Sequence, residues 1–536
     1  MKPIEKYTLS REAEANEDIA RTSLSPRLAK TVIAGFCLVV SVVPIVQIMC
    51  GMPSPRVVGS DSAESSAVDR IINANNDVIR WKDRFEAELE ERFFLQEILT
   101  SGFQYVLTAW LHTGNEKAVI GRNGNMFYSK DIEYLSGIDI ETRPGNAITS
   151  AMCIIDFAEQ LRRRGIELLL VPMPLKTMIY ADELSRMYEP DAMLQNRTYN
   201  EWLKQLDDAG VAVYDPSETL MQLKLSGNHS YLKSDTHFSP QAMEAVAKEL
   251  AGKIREMTGG SGMYASYHTV QEDICRHGDI YTMLKLRGNI GWLPPETVRI
   301  NTVLNENNEF WRTDRNADIL FMGDSFSNIY SMAGLGWGVS AGLVEHLSRE
   351  LECPIDAIRR NDEGSIATRR ILQSDLMRGK DRLAGKRIVV WQFAMRELTQ
   401  GDWRPLDMTL GERLDETSFL AVAENSPIEI EGVVEDISPV PHPDEVTYAD
   451  HVIAVHLTSV FDPSDGGREK QALVYVLAMR DRQLLPAAYL QVGERVKLRL
   501  ENWTLHESEE GSYNRSEIDN ADLMLADPLW GELLKE

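Results

Sequence analysis

The chain has 536 residues, of which 43% are hydrophobic, and a formal net charge of −26 at pH 7. This length predicts two to four domains, and the apolar fraction is sufficient for sizeable cores, which excludes a disordered protein. Nucleic-acid partners are excluded because phosphate binding needs clustered Lys and Arg, and the sequence contains no basic stripe.

The N-terminal part contains an uncharged stretch from Thr31 to Pro55, which is long enough to cross a bilayer. Basic residues cluster just before this stretch, and Arg56 follows it. The positive-inside rule therefore predicts a cytoplasmic tail at 1–30, a single transmembrane helix at 31–52 and export of the remainder. A cleaved signal peptide is the alternative, against which the long polar lead argues.

A polar linker is predicted at 53–67 and a helical lead-in at 68–115, where apolar residues recur every three or four positions. The segment "AVIGRNGNMFYSKD" (118–131) is typical of a strand, a tight turn and a second strand.

Residues 116–405 alternate between apolar strands and amphipathic helices, which predicts an α/β domain. The sheet should be parallel and covered by helices on both faces. The predicted strands are at 166–174, 211–215, 317–324 and 387–394, and the predicted helices at 146–165, 239–257 and 342–351.

Residues 426–536 are rich in short β runs, which predicts a small all-β domain, with an OB-like barrel as the best match. This part has nine Lys and Arg against 22 Asp and Glu. Such an acidic module is better suited to docking or to glycan contact than to nucleic acid.

Three residues together form a candidate catalytic triad. Ser325 in "ILFMGDSFSNIY" follows an apolar strand and begins a helix-like stretch, a position from which a serine can face a cleft at the sheet edge. Asp235 and His237 in "KSDTHFSP" lie before a helix that Ser239 can cap. Asp235 would orient His237, which would act as base for the nucleophile Ser325.

The chain has five cysteines, of which Cys37 and Cys50 lie in or beside the predicted membrane helix. The other three allow at most one intrachain disulfide. No ligand spacing indicates a metal site, and no cofactor is expected.

Gly323-Asp324-Ser325 and Asp235-x-His237 resemble the SGNH hydrolase superfamily, with the Asp/His block placed before the serine block. That order, with "VIGRNGNMFY", "LLLVPMPLK" and "VVWQFAMREL", resembles the alginate O-acetyltransferase family, in particular its membrane-anchored periplasmic member. The sequence departs from the family at "GNMFY", where a Trp-Leu pair is usual, and in its tail.

The resemblance implies transfer of acetyl groups to an exported polysaccharide by an inner-membrane protein whose catalytic part is periplasmic. It also implies a multi-pass membrane acyl-donor protein and other exopolysaccharide-export subunits as partners. The Ser325 amide would be one oxyanion donor, and Gly364, Gln392 and Arg396 are candidates by chain position for oxyanion or substrate contacts. Tyr330 would line the cleft or belong to the core.

Two alternatives remain. The same triad could hydrolyse acetyl esters, or the chain could be a non-catalytic glycan-binding or scaffold subunit of an export complex. Because all three triad candidates precede residue 426, deletion of the C-terminal domain is expected to leave small-ester turnover largely intact. It should impair action on polymer or assembly with partners.

The predicted topology can be tested with a reporter fused after Glu536. We expect activity from a reporter that works only outside the cytoplasm, because the basic flank retains residues 1–30 inside. Activity of a cytoplasm-only reporter at the same position would contradict export.

Overall fold

The computed structural model describes most of the chain after residue 94. The residues described are 30, 33, 94–137, 139–140, 148–286, 290–361, 364–411, 419–424, 426–443, 446, 448–461, 469–507, 509–518, 520, 523 and 526–534. Apart from residue 33, the predicted transmembrane segment lies outside this part, as do the linker and residues 68–93 of the lead-in. None of the helices that the structure describes is long and apolar enough to cross a bilayer.

Residues 104–536 form one compact unit, which contains an α/β domain up to residue 411 and a barrel domain from residue 419. Helix α1 Phe94–Leu111 begins before this unit and ends within it. The other helices of the α/β domain are α2 Ser129–Ser136, α3 Ser150–Arg162, α4 Lys176–Ile179, α5 Ala181–Leu184, α6 Tyr199–Asp208, α7 Ser217–Leu225, α8 Pro240–Thr258, α9 Asp279–Met283, α10 Ser325–Asn328, α11 Leu343–Leu351, α12 Gly364–Met377 and α13 Glu397–Gln400. Its strands are β1 Ala118–Ile120, β2 Met126–Tyr128, β3 Glu167–Met173, β4 Ala212–Val213, β5 Tyr267–Arg276, β6 Glu296–Asn305, β7 Ile319–Gly323, β8 Asp356–Arg359 and β9 Ile388–Ala394.

The central sheet has five strands in the order β4-β3-β9-β7-β8, and every neighbouring pair is parallel. All residues of β7 and β9 are buried. Since alternate side chains point to opposite faces, both faces of the sheet must be covered. The predicted parallel α/β sheet is confirmed, and strand β4 is shorter than expected because Asp215 accepts the Ser217 N–H and begins the turn into α7.

Two local predictions also match the structure. Strands β1 and β2 form an antiparallel hairpin whose turn places Asn123 and Gly124 at positive φ, +53° and +77°. At the start of α8, the Ser239 hydroxyl accepts the Ala242 N–H at 3.2 Å, and Pro240 occupies the first turn.

The barrel domain contains the strands β10 Ile428–Ile437, β11 His451–Phe461, β12 Glu469–Arg480, β13 Gln483–Leu484, β14 Arg495–Asn502, β15 Asn514–Ser516 and β16 Leu529–Leu533. Five of them close a ring in the order β10-β11-β12-β16-β14, because β12 also pairs with β11. This closed five-stranded barrel agrees with the OB-like prediction. Sequence patterning had missed β16, which pairs parallel with β12.

The two domains share buried ion pairs. Arg382 is buried, binds Asp356 of β8 at 2.7 Å and Glu507 of the barrel domain at 3.2 Å. Arg360 donates to the Arg515 carbonyl at 2.6 Å. Because breaking a buried pair leaves an uncompensated charge, these contacts fix the barrel domain against the α/β domain.

Candidate active site

The nucleophile candidate lies at the carboxyl end of a central strand. Strand β7 ends at Gly323, and Ser325 begins α10 immediately afterwards. A Cβ at Gly323 would lie 2.5 Å from the Ser327 hydroxyl oxygen and 2.9 Å from the Gln392 amide oxygen. A side chain at position 323 would therefore displace side chains that pack against this elbow. The Ser325 side chain is partly exposed.

Asp324 fixes the elbow to the neighbouring strand. Its Oδ1 accepts the Phe326 N–H at 2.9 Å and the Gln392 side-chain N–H at 2.7 Å, and its Oδ2 accepts the Ala394 N–H at 2.7 Å. Since Gln392 and Ala394 belong to β9, the turn before Ser325 is bonded across two strands of the sheet.

The base candidate lies on the loop before α8. That loop is held by Glu296, whose carboxylate accepts the backbone N–H groups of Lys233 and Ser234 at 2.7 and 2.9 Å. The buried Lys176 ammonium donates to the Lys233 carbonyl at 2.6 Å. Burial lowers the pKa of Lys176 to about 8.

A continuous chain of hydrogen bonds joins the three candidates. His237 Nδ1 lies 2.6 Å from Asp235 Oδ1, and His237 Nε2 lies 2.9 Å from Ser325 Oγ. With its proton on Nδ1, the imidazole donates to the carboxylate and leaves Nε2 to accept from the serine hydroxyl. This is the geometry required of a nucleophile, a base and an orienting acid.

The Asp235 carboxylate is buried and receives four N–H donors. Oδ1 accepts from the His237 backbone and imidazole, while Oδ2 accepts from the Asp279 backbone at 3.0 Å and the Trp337 indole at 2.9 Å. Burial by itself would raise the pKa of Asp235, but these bonds and the His237 charge outweigh it and hold that pKa at about 2. Asp235 is therefore ionised at neutral pH.

The imidazole is tuned by the carboxylates around it. Burial would lower the pKa of His237, but the hydrogen bond and charge of Asp235, with the charge of Asp279, raise it above its usual value despite Arg396. Asp279 Oδ2 lies 3.9 Å from His237 Nδ1. Burial and the Asp235 charge raise the pKa of Asp279 to about 7.

Asp235, His237 and Asp279 also present ligand atoms that lie within 4.8 Å of one another. A cation bound to either Asp235 oxygen would have to displace N–H donors that already bond to that oxygen. The donor set thus suits a histidine base rather than a metal ligand group.

The other residues predicted for the site do not join the hydrogen-bonded triad and have other contacts. Gln392 is buried and bonded to Asp324, so it supports the elbow. Tyr330 is buried in the core, where its hydroxyl donates to the Phe238 carbonyl at 2.6 Å. Gly364, at φ +60°, packs against the Glu397 carboxylate, and among the described residues no hydrogen bond joins it to the triad.

Arg396 pairs with the buried Asp131 at 3.0 Å and lies over the Tyr128 ring at 5.7 Å. Its charge acts on His237, so it borders the site as part of a salt bridge. Within the described part of the chain, the Ser325 backbone N–H has no hydrogen-bond acceptor. It is therefore free to stabilise an oxyanion.

Sequence reasoning missed Trp337, Asp279 and Asp131. Trp337 and Asp279 lie 102 and 44 residues from Asp235 in the chain, so no local motif relates them to it. Two glycines flank Trp337 in "GLGWGVS", and this was the one signal that the loop is specially shaped.

Comparison with known proteins places the site within one matched region. The family described as "SGNH hydrolase-like domain, acetyltransferase AlgX" matches residues 118–395. The protein "Probable alginate O-acetylase AlgJ" of Pseudomonas aeruginosa is 29% identical over 173 residues, 32% of this chain and 42% of the relative. That of Pseudomonas fluorescens is 23% identical over 208 residues, 39% of this chain and 51% of the relative.

The chain thus spans about half the length, or less, of these two relatives. Among solved structures, the "O-Acetyltransferase Domain of Pseudomonas putida AlgJ" is similar at a TM-score of 0.40 and 19% identity, with 53% of this chain and 93% of that chain covered.

The charges around His237 predict a pH dependence. Catalysis needs the neutral imidazole, so kcat/KM for a small acetyl ester should fall as the pH drops through the raised His237 pKa, giving an acid limb above about pH 6.5. Asp279→Asn removes the negative charge that Asp279 carries when ionised, and should therefore move this limb to lower pH. An unchanged or higher midpoint in Asp279→Asn would contradict this electrostatic account.

Proposed function

We propose that this chain, which belongs to the family described as SGNH hydrolase-like domain, acetyltransferase AlgX, is an O-acetyltransferase that acts on an exported polysaccharide. The observation that carries the proposal is the hydrogen-bonded chain Asp235–His237–Ser325 inside the matched region. Support for the acetyl group and the polysaccharide comes from relatives whose printed name is "Probable alginate O-acetylase AlgJ".

The first half of the proposed reaction loads the enzyme. Ser325 Oγ attacks the carbonyl carbon of an acetyl donor while its proton passes to His237 Nε2. The Ser325 N–H, at the start of α10, stabilises the oxyanion. The tetrahedral intermediate then expels the donor's leaving group, which takes the proton from His237, and leaves an acetyl ester on Ser325.

The second half transfers the acetyl group to the acceptor. His237 Nε2 removes the proton of a sugar hydroxyl, whose oxygen attacks the acetyl-serine carbonyl carbon. Collapse of the second intermediate breaks the bond to Ser325 Oγ, which recovers its proton from His237. Asp235 stays ionised throughout and stabilises the imidazolium formed in each half.

The groove between the domains supports a polymeric acceptor. A cavity of about 990 Å³ lies between α12 and the barrel domain, and seven cationic side chains line it, including Arg370 and Arg404. Six carboxylates also line it, so its charge is nearly balanced although the chain as a whole carries −26. The Arg360 backbone, at its wall, donates to the Gly323 carbonyl at 3.0 Å beside the elbow.

The setting proposed for this reaction is the periplasmic face of the inner membrane, with residues 31–52 as anchor. A multi-pass membrane protein would supply the acetyl group, and other exopolysaccharide-export subunits would present the polymer. The uncharged stretch before Arg56 supports the anchor.

A hydrolase is the second candidate, because the same triad cleaves acetyl esters when water replaces the sugar. The two reactions differ in product, so mass spectrometry of oligosaccharides incubated with enzyme and an acetyl ester separates them. Acetylated sugar indicates transfer, and acetate without acetylated sugar indicates hydrolysis. The hydrogen-bonded triad argues against a purely scaffolding role.

Replacement of the triad should abolish turnover in the purified exported part. We expect Ser325→Ala and His237→Ala each to lower kcat by several orders of magnitude, and Asp235→Asn by up to roughly 10⁴-fold. The double variant Ser325→Ala/His237→Ala should be little worse than either single variant, because the groups act as a unit. Near-normal activity in a folded Ser325→Ala would refute the acyl-enzyme proposal.

Changes in the groove should weaken the reaction with a polymeric acceptor and leave the turnover of a small ester unaffected. Charge reversal at two lining residues, in Arg370→Glu/Arg404→Glu, should raise KM for an anionic oligosaccharide several-fold and leave kcat/KM for p-nitrophenyl acetate within about twofold. Arg163→Glu, at an exposed residue directly after α3, provides the control. If the double variant and the control affect oligosaccharide acetylation equally, the groove does not bind the acceptor.

A further inference from the structure

The loop after the nucleophile helix brings a tryptophan back to the acidic end of the triad. Trp337 is 1% exposed, and its indole N–H donates to Asp235 Oδ2 at 2.9 Å. Its neighbours Gly336 and Gly338 have φ of +78° and +135°, which only glycine adopts without strain. The Arg276 guanidinium lies 5.8 Å above the indole ring. The loop therefore holds the carboxylate oxygen that does not face His237 Nδ1.

The barrel domain braces this loop. The Ala449 N–H donates to the Gly334 carbonyl at 3.3 Å. A Cβ at Gly334 would lie only 3.0 Å from Asp450 Oδ2, so the backbone of the loop rests directly on the Asp450 side chain. Asp450 in turn accepts the Asp481 N–H at 3.0 Å. This bond connects Asp450 to the turn after β12.

A second contact reaches the nucleophile end. Asn514 on β15 is buried, and its Oδ1 accepts from the Asn361 side chain at 3.0 Å. Asn361 Oδ1 in turn accepts from the Asn328 side chain at 2.8 Å. Asn328 is the last residue of α10, the one-turn helix that begins at Ser325. Three amide side chains thus connect the barrel domain to the helix that carries the nucleophile.

We propose that the barrel domain is part of the catalytic unit, and that it positions Asp235 through Trp337 and Ser325 through Asn361. The inference rests on the proposed acyl transfer at Ser325. It replaces the expectation that deletion of the C-terminal domain leaves small-ester turnover largely intact. Trp337 and Asn361 are positioning residues because they touch the triad or its helix and not the reacting acetyl group.

A physical reason makes these contacts consequential for rate. A carboxylate that loses one of its N–H donors can rotate, and the imidazole it holds then moves relative to Ser325 Oγ. Misplacement of reacting groups by about 1 Å can cost on the order of 10²-fold. The Trp337 N–H also stabilises the ionised Asp235, so its removal lets the Asp235–His237 pair bind a proton more readily.

The first experiment compares Trp337→Phe with Trp202→Phe, using p-nitrophenyl acetate and the full exported chain. Trp202 is fully buried, and its indole N–H has no acceptor among the described residues, so it controls for the loss of the larger ring. We expect Trp337→Phe to lower kcat about ten-fold or more with little change in KM, and to move the acid limb of the pH profile upward. Trp202→Phe should retain the wild-type limb.

The second experiment separates the barrel contact from barrel stability. Asn514→Ala removes the nearest of the acceptors of the Asn361 side chain, which also donates more weakly to the Ser512 carbonyl at 3.4 Å. Ser516→Ala, two residues along β15, removes a bond to His451 within the barrel domain. Asn514→Ala should slow both ester turnover and sulfonylation of Ser325 by phenylmethylsulfonyl fluoride several-fold. Ser516→Ala should behave as wild type, and Asn514→Asp, which retains the acceptor oxygen, should recover most of the rate.

If Trp337→Phe does not fold, Gly334→Ala tests the same loop, because its methyl group would push Asp450 away and should also lower kcat. Two results together would overturn the inference. The first is a wild-type kcat and pH profile in Trp337→Phe or Gly334→Ala, and the second is equal rates for Asn514→Ala and Ser516→Ala. Ser325→Ala in the same assay separates the two proposals. Retained activity there refutes acyl transfer at Ser325, whereas lost activity with neutral Trp337 and Asn514 variants refutes only the coupling.

Discussion

The Asp235 carboxylate is buried and accepts hydrogen bonds from four N–H donors. The arrangement of the whole site follows from the need to supply these donors to a buried charge. Removing a carboxylate from water costs several kcal/mol unless it is paired and hydrogen-bonded. Its donors come from its own loop, from the start of α9 and from the loop after α10. Three separate segments must therefore converge before the charge can be buried.

A second buried aspartate has the same function at the other end of the triad. Asp324 accepts three N–H groups, two of them from β9, and so fixes the turn that carries Ser325. The Asp235 carboxylate thus orients the base, and the Asp324 carboxylate fixes the turn that carries the nucleophile. Donors and dipoles that are already in place need no rearrangement as charge develops, and such preorganisation is a major source of enzymatic rate.

Local sequence signals were sufficient to predict those parts of the fold that depend on residues close together in the chain. Apolar runs predicted β7 and β9, and a Gly-Asn-type turn signal predicted the β1–β2 turn. The Asp-x-His spacing and the strand-to-helix elbow predicted which side chains the structure brings together. These features are encoded within a few residues of each other.

Local sequence signals could not predict the role of a residue when that role depends on burial or on contacts with residues distant in the chain. Chain position placed Gln392 and Tyr330 near the sheet edge but could not show that both side chains point inward, to Asp324 and to the Phe238 carbonyl. Trp337 and Asp279 became visible only when the folded chain brought them to Asp235. The short strand β16 lacks a long alternating pattern, so its partners could not be inferred from sequence.

Strand β16 has a consequence for how the protein matures. It comprises Leu529–Leu533 and inserts between β12 and β14, which makes it the strand that closes the barrel. The ring cannot close until β16 pairs with β12 and β14, both of which precede it by many residues, and pairing over such sequence distances is slow. Because Ala449 and Asp450 of the barrel domain contact the loop of Trp337, that loop would lack this contact until β16 is in place.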